Sequence, residues 1–135
     1  MSNFRKMTGE AGEHFIASLC NREHWVVAKA PETTKGFDLF VEINGKPKRI
    51  QVKTLNPRPN SNRASWQQWG FDYLAVVWYS DSDELVPENV WLIPTLKLRR
   101  SARFFNNSKA PLEREWYLNI SDLCDNYEKY RWFGL

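Results

Sequence analysis

Residues 36–53 have the sequence GFDLFVEINGKPKRIQVK, which predicts two paired strands joined by a tight turn. Its centre, Asn44-Gly45, is a strong signal for a two-residue β-hairpin loop, because a type I′ turn needs positive φ at both central positions. The pattern predicts a half-buried hairpin with a fixed register, since a slip by one residue would bury Arg49, Gln51 and Lys53. The apolar face of this hairpin is expected to hold Phe37, Leu39, Val41, Ile43, Ile50 and Val52.

The other face of the hairpin is polar. The turn puts Asp38 opposite Gln51, and Lys53 lies two residues further along the same face because side chains alternate with period two. Carboxylate and amide oxygens suit hard divalent cations, and a lysine beside them would stabilise negative charge. The residues leave two interpretations open: a metal-dependent hydrolytic site, or an ordinary hairpin with a polar outer face.

Residues 8–20 read as an amphipathic helix, with Thr8 as the expected N-cap. At about 100° per residue, Glu13 falls on the border of the apolar stripe, whereas Glu10 and His14 fall on the polar side. Glu13 can therefore lean over a neighbouring sheet. Favourable charge at a helix start is the alternative explanation for both glutamates. The apolar rows are Ala11, Phe15 and Leu19, then Gly12, Ile16 and Cys20.

Asp38, Gln51 and Lys53 on paired strands, preceded by a helical Glu13, resemble the motif of the PD-(D/E)XK nuclease superfamily. Gln51 replaces the usual acid, a form that occurs in relatives of archaeal Holliday-junction resolvases and in some restriction-type endonucleases. The resemblance is strongest over residues 8–79. It implies an α/β, restriction-endonuclease-like fold with an αβββαβ core, in which helices flank a mixed central sheet. The whole chain, residues 1–135, is expected to form one such domain.

The same resemblance implies a metal-dependent deoxyribonuclease and assigns roles to its residues. Asp38 would be the principal ligand of Mg²⁺ or Mn²⁺, with Glu13 as a direct or water-mediated ligand. Gln51 and the backbone carbonyl of Val52 would add neutral oxygen ligands. Lys53 would orient or help deprotonate the attacking water. Because Gln51 removes one negative charge, metal affinity is expected to be modest, and Mn²⁺ is expected to support activity better than Mg²⁺.

Basic residues in two segments are candidates for contact with DNA phosphates. Arg58 and Arg63 belong to a loop that closely follows Lys53. The densest basic cluster comes later, and a solvated face explains it as well as phosphate contact does. That cluster comprises Lys97, Arg99, Arg100 and Arg103. Among seven tryptophans, Trp66 and Trp69 are weak candidates for base stacking, and the others are expected in the core.

The rest of the chain predicts further strands and one more helix. Strands are expected at residues 25–28, 71–79 and 90–93, the second of them covered on both faces because its apolar run is nearly continuous. A terminal helix is expected to begin at Ser121, which would serve as its N-cap.

Composition narrows the class of protein further. The net charge of +3 and the pI near 8.9 are compatible with a polyanionic partner but do not identify one. Two cysteines, Cys20 and Cys124, favour neither a disulfide framework nor a zinc site. With no membrane-spanning run and no signal-peptide pattern, a cytoplasmic location is expected. A homodimer is expected because one small domain offers a limited footprint for a duplex.

Two other classes of function remain open at this point. One is a nucleic-acid-binding module of the same fold that does not cut, and the other is a regulatory interaction factor whose basic surface is incidental. The combination of Glu13, Asp38, Gln51 and Lys53 favours the enzyme, because binding alone needs no carboxylates facing a phosphate. The form of the DNA substrate, whether duplex, branched, single-stranded or modified, is not specified by these residues.

Overall fold

The chain folds as a mixed α/β structure in a computed structural model that describes residues 2–55, 63–79, 89–106 and 114–132. Its helices are α1 (Ser2–Arg22), α2 (Thr95–Ser101) and α3 (Ile120–Asn126), followed by a 3₁₀ helix, Glu128–Tyr130. Its strands are β1 (Val26–Lys29), β2 (Leu39–Ile43), β3 (Lys46–Leu55), β4 (Arg63–Trp66), β5 (Tyr73–Trp78), β6 (Val90–Pro94), β7 (Arg103–Asn106) and β8 (Arg114–Asn119).

The strands form two sheets. The larger has the order β1-β2-β3-β5-β6, and it is mixed because β3 and β5 are parallel while the other pairs are antiparallel. The smaller is antiparallel, with the order β4-β8-β7. The expected mixed central sheet is therefore confirmed. Its middle strand is β3, which carries Gln51 and Lys53. Strand β5 lies between β3 and β6, and its four central residues are buried, as expected for a strand covered on both faces.

The β2–β3 hairpin has the register that its turn predicted. Asn44 and Gly45 have φ values of 52° and 80°, so both central residues occupy the left-handed region. The pairing runs from Ile43↔Lys46 to Leu39↔Ile50. One residue beyond β2, the N–H of Asp38 still donates to the carbonyl of Ile50, at 2.8 Å. This bond holds Asp38 against β3, although Ile50 pairs with Leu39 in the ladder.

Each face of the larger sheet has its own apolar core. On one face α1 packs against β2, β3 and β5 through Ile16, Leu19, Cys20, Leu39, Val41, Ile50, Val52, Ala75 and Val77. On the other face the smaller sheet, α2 and α3 pack through Leu55, Trp66, Leu74, Val76, Trp91, Ile93, Leu98, Leu118 and Leu123. By strand alternation, Gln51 and Lys53 belong to this second face. Phe37 also packs there, beside Phe40, so its predicted place on the α1 face is wrong.

Helix α1 begins at Ser2, so Thr8 lies within the helix and its predicted role as N-cap is wrong. Further along, α1 approaches β3 closely at Gly12. A Cβ atom added there would overlap the hydroxyl of Thr54 and lie 3.2 Å from its Cβ. Gly9, one turn earlier, has open space instead. Gly12 is therefore the residue that lets the helix backbone lie against the sheet.

An αβββαβ core has a helix between its third and fourth strands. The described part of the connection from β3 to β5 contains a strand there instead. Residues 63–72 contain β4, which leaves the larger sheet and pairs with β8. Of the predicted loop at residues 57–63, residues 57–62, with Arg58, lie outside the residues that the structure describes, and Arg63 begins β4, so its place in the loop was wrong.

The C-terminal part is joined to β7 by an ion pair. Helix α3 has Asn119, rather than the predicted Ser121, as its N-cap, and the N–H of Asn119 donates to Asp122 at 2.9 Å. Two guanidinium nitrogens of Arg103 also donate to the carboxylate of Asp122, each at 2.9 Å. Asp122 is 8% exposed, so its charge is balanced by these donors.

Two further findings bear on the expectations from composition. Cys20 is buried and Cys124 is exposed, both as free thiols, and burial raises the pKa of Cys20 to about 12. None of the helices in the described ranges has the length and apolar character needed to cross a membrane.

The close contact at Gly12 predicts opposite effects for two matched substitutions. Gly12→Ala should destabilise the fold by about 1–3 kcal/mol, because the added methyl group overpacks against Thr54. Gly9→Ala should instead be neutral or stabilising by up to about 1 kcal/mol, because alanine favours the helix and has room. Urea unfolding of both variants measures the difference, and equal effects would contradict the packing role of Gly12.

The Asp122 ion pair predicts a defined pH dependence of stability. The hydrogen bond from Arg103 lowers the pKa of Asp122, whereas partial burial raises it. The Asn119 N–H and the charge of Arg103 lower the pKa further, so the net shift is downward. The pKa of Asp122 in the folded protein therefore lies below its unfolded value of ~3.9. The ion pair stabilises the fold fully above pH ~3.9, and this stabilisation is lost as the pH falls through the folded pKa. Asp122→Asn should therefore be less stable than wild type at pH 7.

The same comparison made in acid provides the check. The stability gap between wild type and Asp122→Asn should shrink as the pH falls below ~4, when followed by urea unfolding at several pH values. Asp125→Asn, which removes an exposed carboxylate outside this ion pair on the same helix, is the control for the loss of a carboxylate. A gap for Asp122→Asn that does not change with pH would contradict the assigned pairing.

Candidate functional site

Asp38 is held in place by strand β3. Its Oδ2 atom accepts a hydrogen bond from the N–H of Val52 at 2.8 Å and another from Nε2 of Gln51 at 3.0 Å. The register pairs Leu39 with Ile50, which brings Asp38 beside the next two residues of β3, Gln51 and Val52. Val52 thus contacts the carboxylate through its N–H group, while its side chain is buried on the α1 face. The two bonds fix the orientation of the carboxylate and use only one of its oxygens.

Glu13 approaches Asp38 from α1. Partial burial raises the pKa of Glu13, and the negative charge of Asp38 raises it further, whereas Lys29 acts in the opposite direction. The pKa of Asp38 is also raised by burial, although the Val52 N–H and the charges of Lys53 and Lys29 oppose the change. Both acids are therefore harder to ionise than in water. A bound cation would relieve this cost, because it favours the charged form of each.

Lys53 stands on the polar face of β3, largely shielded from water. Burial lowers its pKa, and the charges of Asp38 and Glu115 act to raise it. Glu115 lies on β8, in the smaller sheet, and its side chain is partly buried. Sequence reasoning missed this acid because no motif spacing links it to the hairpin.

Lys29 is a second residue that sequence reasoning missed. It ends β1, and its positive charge acts on both Glu13 and Asp38. A lysine at the end of a short strand carries no signal of its own, since an exposed lysine is ordinarily part of the solvated surface. Only the pairing of β1 with β2, which puts Lys29 opposite Leu39, brings it next to Asp38.

Two adjoining cavities meet at this site. The first, which we call the acidic cavity, has a volume of about 360 Å³, and its charged lining residues are Glu10, Glu13, Lys29, Glu32 and Asp38. The second, the amide cavity, has a volume of about 400 Å³ and includes Lys35, Gln51, Lys53, Trp66, Gln67 and Gln68 in its lining. Thr34, Phe37 and Asp38 line both. Asp38 therefore lies where the acidic cavity and the amide cavity meet.

A close contact between two loops shapes the amide cavity. Gly36 has a φ of 96°, which glycine adopts without strain. A Cβ atom there would lie 3.5 Å from the Cα of Gly70 and 3.4 Å from Oε1 of Gln68. The loop before β2 and the loop before β5 thus touch through two glycines, and the Gln68 amide lies over this contact.

The residues predicted to contact DNA are distributed over several elements. Arg63, at the start of β4, is exposed and stacks on Tyr117, with its guanidinium carbon 4.0 Å from the ring centroid. The guanidinium carbon of Arg99 likewise lies 4.7 Å from the centroid of the Trp69 ring. Arg103 forms an ion pair with Asp122. On α2, Arg100 is exposed and Lys97 is partly buried. DNA contact by these residues stays a prediction.

The two tryptophans considered for base stacking belong to an aromatic cluster. The Trp66 ring is 4% exposed, and its centroid lies 5.5 Å from Trp69 and 6.1 Å from Phe71. Trp69 is itself stacked on Phe71, with ring centroids 5.9 Å apart. It also makes an edge contact with Trp116, with ring centroids 5.2 Å apart. With its faces buried, Trp66 is a core residue, contrary to the expectation from sequence.

The oxygen atoms that meet at the site suit a hard cation better than a soft one. Among the residues that the structure describes, no three histidine, cysteine, aspartate or glutamate side chains are grouped as metal ligands. Glu13 and Asp38 form the pair of acids, and the amide of Gln51 adjoins Asp38. Two carboxylates whose pKa values are both raised, by burial and, for Glu13, also by the charge of Asp38, fit an oxygen-ligated divalent cation.

Comparison with known proteins adds information about the fold. No protein-family model matches the chain, and no curated protein matches it by sequence. Among solved structures, the chain is similar to a bacterial homing endonuclease, I-Ssp6803I, with a TM-score of 0.54 and 17% sequence identity. The similarity covers 84% of this chain and 74% of that one. At this identity the likeness is one of fold, so the mixed α/β architecture of this chain is one that a homing endonuclease also has.

Proposed function

We propose that this chain is a metal-dependent deoxyribonuclease of the PD-(D/E)XK type. The observation that carries the proposal is the arrangement around Asp38, whose carboxylate is oriented by β3, with Glu13 close to it and Lys53 on the same strand face. The likeness in fold to a homing endonuclease supports it. The reaction is hydrolysis of DNA phosphodiester bonds.

Asp38 and Glu13 would hold Mg²⁺ or Mn²⁺, with the Gln51 side-chain oxygen and the Val52 carbonyl as neutral ligands. When bound, such a cation supplies charge neutralisation at the phosphate and a more acidic water molecule. The Val52 N–H and the Gln51 amide keep the Asp38 carboxylate in one orientation. This preorganisation avoids reorienting a ligand during the reaction.

Lys53 supplies the positive charge that the reacting phosphate needs. As negative charge grows on the phosphate oxygens, an ammonium group in a partly dry site stabilises it more strongly than one in bulk water would. The negative charges of Asp38 and Glu115 favour the protonated form of Lys53 and so oppose the effect of its burial. In this form Lys53 orients the attacking water and stabilises the negative charge that develops on the phosphate in the transition state.

The acids themselves favour catalysis over simple binding. Glu13 and Asp38 are partly buried and repel each other, which is an unfavourable arrangement for a protein that only grips a phosphate. A non-cutting DNA-binding module of the same fold is the second candidate. The presence of Gln51, at the position where the motif has an acid, favours this second candidate. In the proposed function the protein acts on DNA in the cytoplasm as a single-domain chain that forms a homodimer.

The metal site can be tested by titration calorimetry with Mn²⁺. Wild type should bind weakly, and Asp38→Ala should abolish binding because it removes the central carboxylate. Gln51→Glu should bind more tightly, since it adds a negative charge to the ligand set. Glu42→Gln, on the exposed part of β2, is the control and should bind like wild type. Equal affinity in wild type and Asp38→Ala would refute the site.

The chemical role of Lys53 can be tested by cleavage assays with Mg²⁺ or Mn²⁺. Lys53→Ala should lower the cleavage rate by about a hundredfold or more while leaving DNA binding nearly intact, as expected for the loss of an electrostatic stabiliser. Lys46→Ala, which removes an exposed lysine beside the hairpin turn, should cut at the wild-type rate. Circular dichroism verifies folding. If Lys53→Ala cuts as fast as wild type, another site or a contaminant performs the reaction.

A further inference from the structure

The amide cavity differs in chemistry from the acidic cavity beside it. Its charged residues are Lys35, Lys53 and Asp38, whereas the acidic cavity has Asp38 and three glutamates against Lys29. A polyanion is therefore repelled from the acidic cavity and tolerated in the amide cavity. Its volume of about 400 Å³ lies in the range of ligand pockets, roughly 300–1,000 Å³.

Trp66 closes one side of the amide cavity. It lines the cavity but is only 4% exposed, and its Nε1 is buried, so a ligand in the open cavity does not reach this N–H. Trp66 therefore contributes a small apolar edge to the wall, and hydrogen bonds to a ligand must come from the other lining residues.

The remaining wall offers groups that recognise the edge of a nucleobase. Gln67 and Gln68 are exposed in the cavity lining, and a glutamine amide presents a donor and an acceptor side by side, as required to pair with a base edge. The contact of Gly36 with Gly70 keeps Gln68 close to the loop before β2. The half-buried Phe37 adds an apolar surface.

We propose that the amide cavity binds one unpaired nucleotide of the DNA, next to the phosphate that is cut. The inference rests on the proposed nuclease function and names its substrate class. The base lies against Phe37 and Gln68, and its phosphate faces Lys35. A paired base is stacked between its neighbours and shows only its edge, so the cavity takes a base that is flipped out, bulged or single-stranded.

Binding in EDTA tests this inference separately from cleavage. Fluorescence anisotropy would compare three labelled oligonucleotides: a perfect duplex, a duplex with one bulged nucleotide, and the same bulge with an abasic nucleotide. Wild type should bind the base-bearing bulge about tenfold more tightly than either of the others. The abasic bulge controls for DNA flexibility, because it bends like the first but offers no base.

Substitution of the cavity wall locates the effect. Gln68→Ala should reduce the preference for the base-bearing bulge by about three- to tenfold, the effect of one lost hydrogen bond, and leave duplex affinity unchanged. Asn21→Ala, an exposed position on α1, is the control and should retain the full preference. A Gln68→Ala variant that keeps the full preference would place the base elsewhere and overturn the inference.

The outcomes separate the two proposals. Equal affinity for base-bearing and abasic bulges, or no binding of any oligonucleotide, overturns the nucleotide pocket even if the protein cuts DNA. Base-dependent binding that Gln68→Ala weakens, in a protein that cuts none of the substrates with Mg²⁺ or Mn²⁺, supports the pocket and refutes the nuclease.

Discussion

The register of the β2–β3 hairpin is the constraint on which the candidate site depends. Asn44 and Gly45 adopt positive φ, and the turn they form aligns Asp38 with Gln51 and with the N–H of Val52. Because side chains alternate, a slip by one residue would turn Lys53 toward the α1 core and bury its charge. The same few contacts thus decide both which face of the sheet is buried and which groups can react.

Helix α1 adds the second carboxylate at some cost to stability. Gly12 lets the helix approach Thr54 closely, and Glu13 follows it in the chain. The charge of Asp38 then raises the cost of ionising Glu13, and burial raises the cost of ionising both, so the helix must be packed well enough to hold them together. Such local strain is typical of a site organised for a ligand, because the unfavourable charge is balanced only when the ligand is present.

The hairpin and the Glu13 side of α1 were predictable because they depend on local patterns: turn chemistry, alternation and helical periodicity. The contributions of Lys29, Glu115 and Asp122 were not, because each acts across a strand pairing or packing contact that no local pattern encodes. Trp66 was misjudged for the same reason, since the aromatic cluster that buries it comes from separate segments. The start of α1 at Ser2 was missed because Thr8 offered a good capping residue inside a longer helix.

Strand β4 pairs with β8, near the other end of the chain, with Ala64 opposite Leu118 and Trp66 opposite Trp116. A ribosome releases the chain from its N-terminus, so the hairpin and α1 emerge long before β8 exists. During that interval the apolar side of β4 has no partner strand. The nascent protein therefore exposes aromatic surface until β8 is made, and its smaller sheet closes late, as pairings between distant segments generally do.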